Sequence, residues 1–130
     1  MTGLDTNVLV RFVTRDDAAQ SRRADEIIAN LTENEPGFVS VIVMAELAWV
    51  LERAYNFSKA EIARAIERML QIEVLQIECE QQVLTAMIAL KRGRGSFADA
   101  LIGELAFRAG CSHTVTFDRK AAQLPGFALA

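Results

Sequence analysis

The sequence predicts an α/β fold, a single domain over residues 1–130 with a parallel sheet of four to five strands flanked by helices on both faces. Two observations carry this. Short apolar runs alternate with helix-length amphipathic segments along the whole chain, and strands separated by helices imply right-handed crossovers and parallel pairing. The composition agrees: 130 residues, 52% hydrophobic and 24% charged, is enough apolar side chain for a real core.

In chain order, a brief run at Thr2–Leu4 reads as the first strand and leads through Asp5-Thr6-Asn7 into Val8–Val13. Asp16 is placed to cap a helix through about Asn30, with Ala24, Ile27, Ile28 and Leu31 on one face. Pro36-Gly37 is a turn before a second strand, Phe38–Ser40. Ser40 caps a helix from Val41 to about Tyr55, and Ser58-Lys59-Ala60-Glu61 is a capping box opening another to about Leu70. Val74–Ile77 is the third strand and Glu80–Leu90 a helix. Lys91-Arg92-Gly93-Arg94-Gly95 is a basic, glycine-broken loop. Ser96 starts a helix that ends at Gly110, His113–Phe117 is a fourth strand, and Gly126–Leu129 a short fifth.

Several function classes are excluded. Disorder needs low hydrophobicity and a large charge imbalance, whereas 14 Lys and Arg face 17 Asp and Glu. The longest apolar runs, such as Val41–Ala45, which stops at Glu46, fall far short of the ~20 residues of a membrane span. The opening residues lack a basic start and an apolar stretch, which predicts a cytoplasmic protein. Cys79, Cys111 and a single histidine, His113, cannot build a disulfide framework or a Cys/His zinc site. The net charge of −3 argues at first against nucleic acid.

Ligands of parallel sheets bind outside the carboxyl ends of the strands, and the acids of interest fall there. Asp5 follows the first strand and Asp118 the fourth. Asp99 lies in the first turn of a helix, and Glu46 in the second turn of the helix after strand two. Carboxylates about 4 Å apart repel by roughly 4 kcal/mol at an effective dielectric of 20. A gathered quartet therefore calls for a hard divalent cation, Mg²⁺ or Mn²⁺, which can supply hydroxide for in-line displacement at a phosphate. Each acid also has a purely structural reading. Asp5 could cap a helix, Asp99 could complete a capping box with Ser96, and Asp118 could be a turn residue, while Glu46 would be a buried or half-buried acid. Trp49 and Tyr55 read as core, His113 as structural, and the two cysteines as inert small apolar residues. Lys91, Arg92 and Arg94 are either a solvated loop or a grip on a phosphate backbone.

Taken together, Leu4–Arg11, Ser40 with Glu46-Leu47-x-Trp49-Val50-Leu51, Phe97–Ile102 and Thr116-Phe117-Asp118 resemble the PIN-domain ribonucleases, most closely the VapC toxins of toxin–antitoxin pairs. The resemblance runs over nearly the whole chain, in the family's order. It implies a five-stranded parallel sheet, a homodimer, Mg²⁺- or Mn²⁺-dependent endonucleolytic cleavage of RNA, and a cognate antitoxin protein. Carried over by position, Asp5, Glu46 and Asp99 match the catalytic, metal-binding acids, and Asp118 the more variable fourth. Thr6, Asn7 and Thr116 match the polar residues supporting them. Many relatives carry an acid where this chain has Ser96. With the four acids set aside, the remaining charges are slightly basic, and Arg11, Lys91, Arg92 and Arg94 become candidates for RNA contact. Two alternatives compete: a PIN-fold interaction module without catalysis, and a haloacid-dehalogenase-type phosphohydrolase. The latter needs a second Asp two residues after the first, where this chain has Asn7.

Overall fold

Side-chain caps fix where the helices begin. In the computed structural model, which describes residues 1–130, β1 (Thr2–Gly3) leads into α1 (Thr6–Thr14), where the Asp5 carboxylate accepts the Thr6 N–H at 2.8 Å. For α2 (Ala18–Ala29) the cap is Asp17, accepting from the Gln20 N–H at 2.9 Å, not Asp16. The Asp16 carboxylate is engaged elsewhere, with Arg11 at 3.1 Å, Thr14 at 2.9 Å and the Tyr55 hydroxyl at 2.7 Å. The cap falls to the next residue with a free carboxylate.

β2 (Gly37–Val39) is followed by α3 (Val41–Tyr55), capped by Ser40, and then by α4 (Lys59–Leu70). The expected capping box opens α4: the Ser58 hydroxyl accepts from Glu61 N–H at 3.1 Å, and the Glu61 carboxylate accepts from Ser58 N–H at 3.0 Å. β3 (Leu75–Ile77) precedes α5 (Glu80–Lys91), the one helix without a side-chain cap. Its flanking residue Cys79 is left-handed at φ 54°, unusual for a residue with a Cβ. α6 (Phe97–Arg108) is capped by Ser96, and Gly110, at φ 100°, takes the chain out of it. β4 (Thr114–Thr116), a 3₁₀ turn (Ala121–Gln123) and β5 (Phe127–Leu129) complete the chain.

The α/β class and the parallel pairing are as expected, but the strands form two sheets where one was expected. β1, β2 and β3 pair in parallel in that order, with Thr2 opposite Gly37 and Gly37 opposite Leu75. β4 and β5 form a separate parallel pair, Thr114 opposite Phe127. Strands of two or three residues contribute few ladder hydrogen bonds, so side-chain packing against helices decides where each pair sits. The C-terminal pair is seated on α6, where Phe127 meets Gly103, and Phe117 at the end of β4 stays 89% exposed.

The core is a contiguous cluster in which Leu9, Val39, Met44, Leu47, Leu51, Ile66, Met69 and Val83 are fully buried. It joins β2 to α1, α3, α4 and α5, so α3 is held on its Met44–Leu47–Leu51 stripe and shows its other side to solvent. No helix is long and apolar enough to cross a membrane.

Candidate functional site

Two of the four acids share a cavity. It measures about 320 Å³ and is lined by residues of α3, α4, the start of α6 and the turn after β4. Asp99 and Asp118 line it, together with Glu52, Lys59 and Lys120 among the charged groups and Trp49, Phe57 and Ile62 among the apolar ones.

The two acids differ in how they are held. The Asp99 backbone N–H is bonded to the Ser96 hydroxyl at 3.0 Å, half of a capping box. Its carboxylate has no hydrogen bond or ion pair within the chain, so Ser96 performs the capping and the Asp99 charge is left over. Asp118 is a turn residue as well as a cavity residue. Its carboxylate accepts from the N–H groups of Lys120 at 2.8 Å and Ala121 at 3.3 Å, and its own N–H is bonded to the Thr116 hydroxyl at 3.0 Å.

Asp5 and Glu46 lie outside this cavity. Asp5 is fixed at the carboxyl end of β1, where the Leu4 N–H is bonded to the Phe38 carbonyl at 2.9 Å, and its carboxylate caps α1. Glu46 sits in the second turn of α3, but exposed, not buried or half-buried. The buried stripe of α3 runs through Met44, Leu47 and Leu51, which leaves Glu46 on the solvent side with its carboxylate unbonded. Carboxylate oxygens are the right donors for Mg²⁺ or Mn²⁺. Yet no three acidic, histidine or cysteine side chains gather into a group that could hold an ion, and the acids as placed do not fit a three-ligand site.

The supporting and basic residues divide similarly. Thr6, next to Asp5 in the chain, is buried. Asn7 and Arg11 line a second cavity of about 370 Å³ between α1 and α2, with Gln20 and Arg23. Arg11 is already committed: it donates to Gln20 at 2.6 Å, to Asp16 at 3.1 Å and to the Tyr55 hydroxyl at 2.9 Å. The Tyr55 hydrogen bond above all, then the charge of Asp16, hold its guanidinium above its usual pKa. Of the basic loop, Lys91 pairs with Glu67 at 3.8 Å, and Arg92 and Arg94 line a separate small cavity beside Glu104. Only Gly95 and Ser96 of that segment reach the cavity of Asp99.

The family model for the PIN domain matches residues 4–126. The chain belongs to the PIN-domain family. Among characterised proteins, this PIN domain is similar to the VapC ribonuclease of Aquifex aeolicus (strain VF5), at 26% identity over 118 residues, covering 90% of this chain and 87% of that protein.

Sequence reasoning missed several residues of the cavity and misplaced others. Trp49 was expected in the core but is 59% exposed, and Tyr55 is half-buried with its hydroxyl bonded to Asp16. Trp49 follows Glu46 by three residues, a helical neighbour on the same solvent side, and that spacing was the signal available. Lys120, two residues after Asp118, was equally legible. Lys59 and Phe57 reach the cavity only through the fold. Cys111 and His113 are exposed, the latter with its Nδ1 2.9 Å from the Ser112 hydroxyl. Cys79 is half-buried and receives a hydrogen bond from Arg108. Neither cysteine is fully buried.

Proposed function

We propose that this PIN domain is an endoribonuclease, the toxin of a toxin–antitoxin pair, hydrolysing RNA phosphodiester bonds at the cavity of Asp99 and Asp118. The observation that carries the reading is the Asp99 carboxylate. It lines a cavity, has no partner in the chain, and is relieved of capping by Ser96, so packing gives no reason for its charge. Lys59 and Lys120 line the same cavity and form no ion pair, which suits them to a phosphate. The similarity to a VapC ribonuclease supports RNA as the substrate class.

In this reading water attacks the phosphorus and gives its proton to the Asp99 carboxylate. The P–O ester bond breaks, the leaving ribose oxygen takes a proton from solvent, and the lysines offset the charge on the phosphate oxygens. Asp99 is the free proton acceptor. Asp118 is held by Thr116 and its own turn, while Asp5 and Glu46, with Thr6 and Asn7 beside Asp5, enter the acid set on the family's pattern and from outside the cavity. Dependence on Mg²⁺ or Mn²⁺ is part of the proposal and rests on family membership. A cognate antitoxin, a homodimer and a cytoplasmic location rest on the family alone. The dispersal of the acids favours one competing reading, a PIN-fold interaction module without catalysis.

The experiment is incubation of the purified protein with a transfer-RNA or total-RNA pool in Mg²⁺, Mn²⁺ and EDTA, followed by mapping of the ends. Discrete internal cuts that vanish in EDTA are expected. Intact RNA under every metal condition, from a protein that still binds RNA, would establish the interaction module instead.

A further inference from the structure

The cavity holds more than hydrolysis requires. Trp49 is a large apolar side chain left 59% exposed on the solvent side of α3, and it forms part of the cavity wall beside the acids. Phe57, from the turn into α4, is a second aromatic in the same wall. The Arg53 guanidinium lies over the Trp49 ring, 5.7 Å from its centroid, and does not itself line the cavity. About 320 Å³ is at the small end of ligand pockets, which begin near 300 Å³, and is the scale of one nucleotide rather than a helix.

We propose that Trp49 is a stacking platform for one unpaired nucleobase of single-stranded RNA, with Lys59 and Lys120 on the adjoining phosphates. The platform then sets which phosphodiester is presented to Asp99. The proposal rests on the ribonuclease reading and adds a specificity-determining residue to it. A nucleotide matches the mixed wall, since its base offers a flat face to the aromatic side chains and its phosphates offer charge to two unpaired ammonium groups. A second copy of this chain fits poorly. To cover Trp49 and Phe57 it would have to desolvate Glu52, Lys59, Asp99 and Lys120, none of which has an ion-pair partner here. Paired bases are already stacked on one another, so the platform selects single strands or loops.

Trp49 is the only tryptophan in the chain, so intrinsic fluorescence reads the site directly. In EDTA, a short oligouridylate or oligoadenylate is expected to quench it to saturation, while an abasic oligomer of the same backbone length leaves it unchanged. Trp49→Ala is expected to weaken binding of the labelled oligomer, followed by anisotropy, by about 5- to 150-fold. It is also expected to raise KM with kcat little altered, and Trp49→Phe to restore most of the affinity. Being exposed, either variant should keep the circular dichroism of the parent. Equal quenching by the abasic oligomer, or wild-type affinity in Trp49→Ala, overturns the proposal. So does fluorescence that changes on dilution of the protein alone and ignores RNA, the mark of a second copy on Trp49. Base-dependent quenching from a protein that cuts no RNA would sustain the platform and overturn the ribonuclease reading, while cleavage indifferent to Trp49→Ala would do the reverse.

Discussion

Asp99→Asn separates charge from architecture more cleanly than any other change in this chain. Asn keeps the shape of the side chain, and the cap of α6 survives because it is made by the Ser96 hydroxyl on the Asp99 backbone N–H at 3.0 Å. What the fold loses is the attraction between a carboxylate and the positive end of the helix, about 0.3–1 kcal/mol. Asp118 and Glu52 line the same cavity, so relief of carboxylate repulsion offsets part of this. The melting temperature should therefore fall by no more than about 4 °C. Activity should behave differently. Losing one preorganised charged group at a reacting centre typically costs a factor on the order of 10²–10³ in rate, or about 2.7–4 kcal/mol. Ser96→Ala is the mirror image. It loses a cap, about 1 kcal/mol, and leaves the Asp99 carboxylate in place, so it should melt earlier yet retain most of its cleavage. The assay pairs thermal melting with cleavage of a transfer-RNA pool in Mg²⁺ or Mn²⁺ for both variants. An Asp99→Asn protein that melts like the parent and cuts at the parent rate refutes the assignment. One that fails to fold refutes the division of labour between Ser96 and Asp99.

Two further outcomes follow from the packing and the charges. Gly103→Ala would ordinarily favour a helix by up to about 1 kcal/mol, but here the new Cβ lands 2.5 Å from Cε2 of Phe127. Overpacking of about 1–3 kcal/mol should outweigh that gain, lower the denaturation midpoint and loosen β5 from α6; a stabilised variant would show that the Phe127 ring swings aside at little cost. The second outcome concerns acid. The Tyr55 hydroxyl first, then Thr14 and Arg11, hold Asp16 below the ordinary aspartate value of 3.8. Its contribution to stability is therefore present above that value and is lost as pH falls through the lower folded pKa. Melting between pH 6 and 3 should show a steeper loss for the parent than for Asp16→Asn, and identical slopes would exclude a role for this cluster.

What the sequence made legible was local. Ser40, Ser58 and Ser96 were identifiable as caps because a cap involves residues two or three apart, and the Ser58–Glu61 box formed as read. Asp16 failed as a cap because its partners, Arg11 and Tyr55, include one on a distant helix that no local pattern announces. Trp49 was misread because helical spacing tells which residues share a side, not which side is buried, and the Met44–Leu47–Leu51 stripe won. The acids repeat the lesson at larger scale. Their order along the chain follows from the strand ends, but their meeting depends on how the strands associate. Asp5 belongs to β1 of the three-stranded sheet, and Asp118 to the turn after β4 of the separate pair. Asp99 stands at the start of α6, the helix on which that pair is seated through Gly103 and Phe127. So the two acids sharing a cavity are the two whose elements pack on each other. Asp5 and Asp118 follow strands of different sheets, β1 and β4, each only two or three residues long.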